Sequence, residues 1–269
     1  MSRMKSEKLT EVDIVTPVYG SPEMLAVLYE SMMTIDAGVS WHWIVIDDKG
    51  PQSDLLSALY TKLRGDSRCK VILSPVNRGF AGINNDAVKR GKARLLLLLN
   101  SDTKILTPGW LKTMASEFSD KTVGCVGAKL LYFSDKDTIE RPAGKIQHAG
   151  VAFNLIGQAF HIFMGWESDN PKVTERREMN AVTGACLMTR RSLYEKLGGL
   201  DEQYTKGNFE DVQYCLQVRR TGHKIIYNPN VVLNHYAGGS DNTETAAYNE
   251  QLFRLKCRGI TEYDDWKYY

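Results

Sequence analysis

Residues 95–103 read LLLLLNSDT, and this stretch decides the fold. Five consecutive leucines are apolar on both faces of a strand, as expected where helices cover both sides of a parallel sheet. The leucines run directly into Asn100, Ser101 and Asp102. In open α/β sheets, ligands bind beyond the carboxyl ends of the strands. The stretch therefore predicts a buried strand that delivers a carboxylate to the ligand-binding edge of a sheet.

Strand and helix patterns alternate around this stretch. Short apolar runs, each followed by residues at helical spacing, recur from residue 12 to about residue 120. Four strand–helix units in succession predict a doubly wound, mostly parallel α/β sheet of Rossmann type. The predicted strands are Val12–Thr16, Trp43–Ile46, Lys70–Leu73 and Leu95–Leu99, and the helices are the segment after Pro22, Leu55–Leu63, Gly79–Lys89 and Trp110–Phe118.

The pattern loosens after Val123 and becomes regular again towards the carboxyl terminus. Because neither an internal repeat nor a low-complexity linker interrupts the chain, we predict one domain over residues 1–269. It would comprise a first half at about 12–120, a second half at about 121–240, and a helix with an aromatic tail at 241–269. The later predicted elements are strands at Ala181–Thr189, Lys224–Tyr227 and Val231–Leu233, and helices at Ser192–Lys196, Asp211–Thr221 and Glu244–Lys256.

The composition describes an ordinary globular protein. Its 34 basic and 32 acidic side chains give a net charge of +2, so there is no general electrostatic reason to expect a nucleic-acid partner. The five cysteines are scattered without a C-x-x-C pair, which disfavours a disulfide framework or a thiolate zinc site and favours a reducing cytoplasm. The five-leucine run is far shorter than the ~20 residues that span a bilayer, and we expect neither a signal peptide nor a membrane span.

Asp102 is the strongest metal-ligand candidate in the sequence. Magnesium or manganese prefers oxygen ligands, needs only one or two carboxylates, and takes its remaining ligands from diphosphate and water. The alternative is that Asp102 forms an Asx turn or a helix cap before Pro108. His235 follows an apolar strand and is a second candidate ligand for a metal or a phosphate, although a single histidine is more often structural.

Polar residues also follow the second and third predicted strands. Asp47 and Asp48 are placed to accept hydrogen bonds from a base or a ribose hydroxyl, although Asp and Gly after a strand are also ordinary turn residues. Residues 77–85 read NRGFAGINN, a glycine-bearing turn that opens a helix and allows close approach to a ligand. This turn contains neither G-x-G-x-x-G nor a Walker loop, which disfavours a dehydrogenase or a P-loop enzyme.

Two acidic residues begin a helix in the second half. Glu210 and Asp211 precede the helical pattern of Val212 to Val218. Acidic residues at a helix N-terminus are often caps that favour the helix dipole. A carboxylate held there is also a plausible general base for a hydroxyl group.

Together and in this order, these segments resemble the family 2 glycosyltransferases, which have the GT-A fold, and in particular their rhamnosyltransferase-like members. The resemblance spans Val12 to Ser240. It rests on Thr16-Pro17-Val18-Tyr19, Ile46-Asp47-Asp48, Asn77-Arg78-Gly79-Phe80-Ala81-Gly82, Leu99-Asn100-Ser101-Asp102, Thr183-Gly184-Ala185, Gly198-Gly199-Leu200-Asp201, Glu210-Asp211 and His235.

The resemblance implies a donor-binding first half. Asp102 occupies the place of the last acid in the family's DXD motif, which binds the metal. Asn100 replaces the first acid, so metal binding would depend more on the diphosphate and on His235. The residues implied to line or hold the nucleotide-sugar are Thr16, Pro17, Tyr19, Asp47 or Asp48, Asn77, Gly79, Asn85, Asn100 and Ser101.

The resemblance also implies an inverting reaction at a second half that binds the acceptor. Asp211 matches the catalytic base, with Glu210 beside it, and Gly184, Gly199 and Asp201 would lie on the acceptor side. The donor would be a UDP- or dTDP-sugar. The acceptor stays open between a saccharide, a lipid-linked glycan and another hydroxyl compound, and a nucleic-acid base is a further alternative.

Two alternatives accompany this interpretation, and the aromatic tail has two readings of its own. A sugar nucleotidyltransferase would carry a Gly-rich, Arg- and Lys-containing loop after the first strand, where this chain has Tyr19-Gly20-Ser21-Pro22. A non-catalytic nucleotide-sugar or carbohydrate-binding protein would not need Asp102, Asp211 and His235 together. The aromatic tail, which includes Tyr263, Trp266, Tyr268 and Tyr269, would pack on the domain or form a homo-oligomer, with base stacking or peripheral membrane contact as the other reading.

Overall fold

The computed structural model describes residues 11–133, 142–236 and 243–268. The segment Ala237–Ser240, which ends the resemblance described above, and Tyr269 of the aromatic tail lie outside the described residues. The elements of the first half are β1 (Glu11–Val18), α1 (Pro22–Thr34), β2 (Ser40–Asp47), α2 (Asp54–Arg64), β3 (Cys69–Leu73), α3 (Gly79–Val88), β4 (Leu95–Leu99), β5 (Thr103–Ile105) and α4 (Trp110–Ser116).

The second half mixes short strands with helices. Its elements are β6 (Val123–Tyr132), β7 (Ile146–His148), β8 (Val151–Phe153), β9 (Ala159–His161), β10 (Arg177–Met179), β11 (Cys186–Arg190), α5 (Arg191–Lys196), α6 (Glu210–Arg220), β12 (Lys224–His235) and α7 (Thr243–Lys256).

Local sequence signals explain how the helices of the first half begin. Pro22 begins α1, where its fixed φ suits the first helical turn and its missing N–H costs nothing. The Ser53 side chain caps α2 by accepting a hydrogen bond from the Leu56 N–H at 3.2 Å. The four predicted strand–helix units are therefore confirmed, with boundaries shifted by a few residues.

A single sheet runs through both halves in the order β10-β12-β6-β11-β4-β1-β2-β3. Strands β3, β2, β1 and β4 pair in parallel, whereas β11 is antiparallel to both β4 and β6. β6 and β12 are again parallel to each other. The carboxyl ends of β4, β6 and β12 consequently lie at one edge of the sheet, together with the amino end of β11.

Two apolar cores cover the two faces of this sheet. The leucines of β4 alternate between them, since Leu96 and Leu98 join the core under α3 and α6, and Leu97 and Leu99 join the core under α1 and α4. All five leucines of β4 are buried. The prediction of a strand covered by helices on both sides is confirmed.

Strands β6 to β10 of the second half were not predicted from the sequence, and the predicted strands differ from the structure in two respects. The predicted strand at Ala181–Thr189 begins only at Cys186, because residues 183–185 form a turn whose Gly184 N–H bonds to a side chain of α6. The two predicted strands near residues 224–233 are one strand, β12, whose pairing with β6 slips between Asn228 and Val232. Pro229, which has no N–H, lies within that slip.

Among the described helices, none has both the length and the apolar character that a membrane crossing requires.

Candidate active site

Strand pairing brings Asp102 and His235 together. β5 follows Asp102 and pairs with the end of β12, with Thr103 opposite His235. The His235 Nε2 lies 3.2 Å from the Asp102 Oδ1, and the two side chains are only 10% and 15% exposed. The His235 Nδ1 lies 3.2 Å from the Gln147 Oε1, which can only accept a hydrogen bond. A neutral His235 ring therefore keeps its proton on Nδ1 and directs the Nε2 lone pair towards the Asp102 carboxylate.

Asn100 lies beside this pair. Its Nδ2 is 3.4 Å from the His235 Nε2, and its buried Oδ1 has no hydrogen-bond partner among the residues that the structure describes. Buried polar atoms are normally paired, so this amide oxygen is available to a water or to a bound polar group. A carboxylate, an imidazole lone pair and an amide oxygen together suit a divalent cation.

The described residues do not complete such a metal site by themselves. No group of three His, Cys, Asp or Glu side chains converges within residues 11–133, 142–236 and 243–268. Among these residues, a cation between Asp102 and His235 would have two ligands of these types, with the Asn100 amide oxygen beside them.

Asp211 is connected to this pair through the backbone. Its Oδ2 accepts a hydrogen bond from the Gly184 N–H at 2.6 Å, and its Oδ1 accepts one from the Val212 N–H at 2.8 Å. One residue after Gly184, the Ala185 carbonyl accepts a hydrogen bond from the Asn100 N–H at 3.0 Å. The candidate base and the candidate metal ligands thus lie at the same edge of the sheet, on either side of the turn at residues 183–185.

Gly184 packs closely against Asp211 at this turn. A Cβ at this position would lie 3.1 Å from the Asp211 Cβ and 3.6 Å from the Phe80 ring. A larger residue would therefore displace the Asp211 carboxylate.

Glu210, next to Asp211, has a different environment. It is buried, and its Oε2 has no hydrogen-bond partner among the described residues. Burial, with a smaller contribution from the negative charge of Asp211, raises the pKa of Glu210 well above its usual range. A carboxyl that keeps its proton is a poor base, so the geometry favours Asp211 in that role.

The Glu210→Gln variant should lose less stability than the parent protein as the pH rises. The unfolded chain releases the Glu210 proton above about pH 4.5, whereas the folded chain retains it to a higher pH because its pKa is raised. Between these two pKa values, each pH unit favours unfolding by about 1.4 kcal/mol. Urea midpoints at about pH 5 and about pH 8 measure this difference. Equal losses in the two proteins would show that folded Glu210 is already charged.

Asp47 and Asp48 shape the loops around the predicted nucleotide pocket. Asp47 accepts hydrogen bonds from the Tyr60 hydroxyl at 2.6 Å and from the Gly50 N–H at 3.0 Å. Asp48 accepts one from the Arg78 N–H at 2.6 Å, which joins the end of β2 to the turn before α3. Burial raises the pKa of Asp48, against the opposing effect of the backbone N–H groups. Direct contact of either carboxylate with a base or ribose stays a prediction.

The site residues predicted in β1 and directly after it differ in exposure. Thr16 is buried, and its hydroxyl accepts a hydrogen bond from the Trp43 indole at 2.9 Å. Pro17 is partly buried, and Tyr19 is 56% exposed. A Cβ on Gly50 would lie 2.9 Å from the Tyr19 backbone, so the loops after β1 and β2 are in contact. Tyr19 is therefore the side chain of this group that is available to a ligand.

The loop before α3 is exposed and approaches the second half. The Asn77 Oδ1 accepts a hydrogen bond from the Gly79 N–H at 3.1 Å, which forms a tight turn. Gly79 has a φ of +67°, a conformation that glycine adopts without strain. The Arg78 guanidinium lies 3.0 Å from the Glu202 carboxylate, so an ion pair joins the two halves here.

Asn85 fastens the turn on the predicted acceptor side. Its Oδ1 accepts hydrogen bonds from the Tyr194 hydroxyl at 2.7 Å and the Leu200 N–H at 2.9 Å, and its Nδ2 donates to the Leu200 carbonyl at 2.8 Å. Gly199 packs against the same amide, since a Cβ there would lie 2.3 Å from the Asn85 Oδ1. The amide of Asn85 is thus hydrogen-bonded within the protein, and its predicted nucleotide contact stays a prediction.

Asp201 is also committed to contacts within the chain. It pairs with Lys256 and accepts hydrogen bonds from Gln213 at 3.1 Å and the Gln203 N–H at 3.0 Å. Burial raises the pKa of Asp201, but Lys256 and these hydrogen bonds outweigh it and lower the pKa overall. The predicted acceptor contact of Asp201 stays a prediction.

Two histidines lie next to the turn at Thr183, with His148 buried and His161 half-buried. His148 and His161 pack edge to face with ring centroids 4.7 Å apart, and the His148 Nε2 accepts the Thr183 N–H at 3.4 Å. Burial lowers the pKa of both imidazoles, so both are neutral near pH 7. Neither histidine, nor Gln147 beside His148, has a role that the sequence alone predicts.

Comparison with solved structures identifies the fold. GalNAc-T7, crystallised with UDP, GalNAc and Mn²⁺, superposes with a TM-score of 0.68 over 85% of this chain and 44% of its own, at 17% identity. The protein therefore has the GT-A fold, which confirms the prediction from the sequence.

Two relatives with similar sequences are much longer than this chain. An uncharacterised protein of Sinorhizobium fredii is 29% identical over 90% of this chain and 26% of its own length. The O-antigen biosynthesis protein RfbC of Myxococcus xanthus is 27% identical over 86% of this chain and 18% of its own length. The chain thus spans about a quarter or less of these two curated relatives. Residues 63–261 match the family model described as glycosyltransferase-like family 2, and the protein belongs to that family.

Proposed function

We propose that the protein transfers a sugar from a UDP- or dTDP-sugar to an acceptor hydroxyl, with inversion at the anomeric carbon. The observation that carries this proposal is the connection between Asp211 and the Asp102–His235 pair through residues 183–185. A base for the acceptor and a cation site for the donor diphosphate are the two groups that such a displacement needs.

Asp102 and His235 would hold manganese or magnesium, with the remaining ligands supplied by the donor diphosphate and water. The bound cation would neutralise charge that develops on the leaving nucleoside diphosphate without any proton transfer. Gln147 keeps the His235 lone pair on Nε2, and Asn100 offers its unpaired amide oxygen to the same ligand. The solved complex of GalNAc-T7 with UDP and Mn²⁺ supports a divalent cation with this fold.

Asp211 would take the proton of the acceptor hydroxyl. Each of its oxygens accepts one backbone N–H, which fixes the plane of the carboxylate and leaves lone pairs for a further hydrogen bond. The acceptor oxygen bonds to the anomeric carbon, the bond from that carbon to the diphosphate oxygen breaks, and the diphosphate leaves with the electron pair. The proton passes to Asp211, so a covalent sugar–enzyme intermediate is unnecessary.

The acceptor and the setting are part of the proposal. The name of the Myxococcus relative supports polysaccharide assembly and hence a glycan acceptor, either free or lipid-linked, in keeping with the rhamnosyltransferase-like subgroup. The five free cysteines support a reducing, cytoplasmic location.

The test is release of nucleoside diphosphate from a panel of UDP-, dTDP- and GDP-sugars, with and without manganese. We expect slow, metal-dependent release from one UDP- or dTDP-sugar. Donor binding without release under any acceptor condition would favour a non-catalytic nucleotide-sugar-binding protein. Absence of binding to every donor would overturn the proposal.

A further inference from the structure

The segment that leads into Asp211 has a strained backbone. The four residues 206–209 have φ angles of 59°, 114°, 88° and 75° in order. Three of them carry a Cβ, and only Gly207 adopts such angles without strain. Phe209 is the N-cap residue of α6 and has no side-chain cap, so the direction of α6 at Asp211 depends on this loop. A run of left-handed residues persists only where surrounding contacts hold it in place.

Asn249 of α7 makes contacts that hold this loop. Its side chain is fully buried, and its Oδ1 accepts a hydrogen bond from the Thr205 N–H at 3.2 Å. Its Nδ2 donates to the Thr205 carbonyl at 2.9 Å and to the Gly207 carbonyl at 2.6 Å. Only a primary amide offers an acceptor and two donors in this arrangement. Asn249 thereby fixes the backbone on both sides of Lys206.

The same face of α7 reinforces the contact. Phe253, one helical turn after Asn249, is buried and stacks on Phe209 with ring centroids 5.2 Å apart. Lys256, a further turn along, pairs with Asp201. These three side chains of α7 therefore bind the loop and the neighbouring turn from one side.

The loop also contacts the donor half. A Cβ on Gly79 would lie 3.6 Å from the Lys206 backbone nitrogen. The backbone that Asn249 holds is thus a close neighbour of the turn before α3, with room for little more than a Cβ between them.

We propose that Asn249 is a positioning residue, which holds the loop at residues 205–209 in its left-handed conformation and so orients the Asp211 carboxylate towards the acceptor. This inference rests on the proposed function. Asn249 does not touch the Asp102–His235 pair, so its effect should fall on the transfer step and spare donor binding.

Hydrogen exchange tests the contact of Asn249 with residues 205–209, which we call the clamp, and this test does not require activity. In Asn249→Ala, the amides of residues 205–209 should exchange at least ~10-fold faster, because local opening becomes easier, while β4 and β12 keep their protection. Gln251→Ala, an exposed change on the same helix, is the matched control. Phe253→Leu, which keeps an apolar side chain but removes the stack on Phe209, should give a smaller increase and serves if Asn249→Ala does not fold.

Kinetics test the positioning role. Donor turnover by Asn249→Ala should show kcat reduced by about 10- to 100-fold, the scale expected for a misplaced catalytic group, with the Kd for UDP and manganese within about threefold of the parent. Gln251→Ala should match the parent in both quantities.

Unchanged exchange at residues 205–209 in Asn249→Ala, or in Phe253→Leu where Asn249→Ala does not fold, would overturn the clamp. The positioning role would be overturned if exchange at residues 205–209 became faster while kcat was unchanged. It would also be overturned if donor affinity fell by as large a factor as kcat. If the parent turns over no donor, the proposed function fails and the positioning role fails with it, whereas the exchange result still reports on the clamp.

Discussion

Replacing Asp211 with asparagine will abolish most sugar transfer while leaving donor binding nearly intact. Asparagine cannot take a proton from the acceptor, and loss of a general base typically costs about 10²- to 10⁴-fold in rate. Its amide also has one acceptor oxygen for the two backbone N–H groups, of Gly184 and Val212, that the Asp211 carboxylate now binds. The measurement is nucleoside diphosphate release from the active donor at saturating manganese.

Glu210→Gln is the informative companion to this variant. Because folded Glu210 is buried and its pKa is raised, glutamine reproduces its protonated form closely. We expect it to lose less than about tenfold in rate, far less than Asp211→Asn. A larger loss in Glu210→Gln than in Asp211→Asn would transfer the role of base to Glu210.

Replacing Asp102 with alanine will weaken manganese-dependent donor binding. Asp102 is the carboxylate of the candidate cation site, 3.2 Å from His235. Loss of even an outer partner of a metal typically costs 10- to 100-fold in affinity, so we expect at least about tenfold here. Electron paramagnetic resonance of Mn²⁺ in the presence of UDP measures the bound fraction directly.

Two further variants serve as comparisons for the Asp102→Ala result. His235→Ala should show a milder form of the same defect, because the Asp102 carboxylate remains. Asp66→Ala removes a half-buried carboxylate that pairs with Arg68 before β3, at the opposite end of the sheet, and should bind like the parent. Parental Mn²⁺ and UDP binding in Asp102→Ala would return Asp102 to the role of a turn residue.

Regular patterns in the sequence predicted the first half of the fold. Leu95–Leu99 and the helix from Gly79 were identifiable because a buried strand and a glycine-opened helix leave local signals. The short strands β7 to β10 leave no comparable signal, since three residues are too few to show a period. The sequence pattern of residues 183–185 predicts a strand. In the structure they form a turn, in which Gly184 donates a hydrogen bond to Asp211, 27 residues further along the chain.

The site was predicted as a set of residue types and not as an arrangement. The carboxylates after the strands were visible, but the approach of His235 to Asp102 depends on the pairing of β5 with β12, which the sequence does not reveal. The sequence also did not reveal which of the predicted site residues have buried side chains. Thr16 and Asn85 belong to motifs that resemble those of a nucleotide pocket, yet the side chains of both form hydrogen bonds inside the protein.

Calorimetric titration of UDP with manganese into the parent, Asp102→Ala and Asp211→Asn tests the central claim that the donor cation site and the acceptor base are separate groups at one edge of the sheet. The structure predicts parental affinity for Asp211→Asn and an affinity at least about tenfold weaker for Asp102→Ala. Equal affinity in all three proteins, or loss of binding in Asp211→Asn, would contradict it.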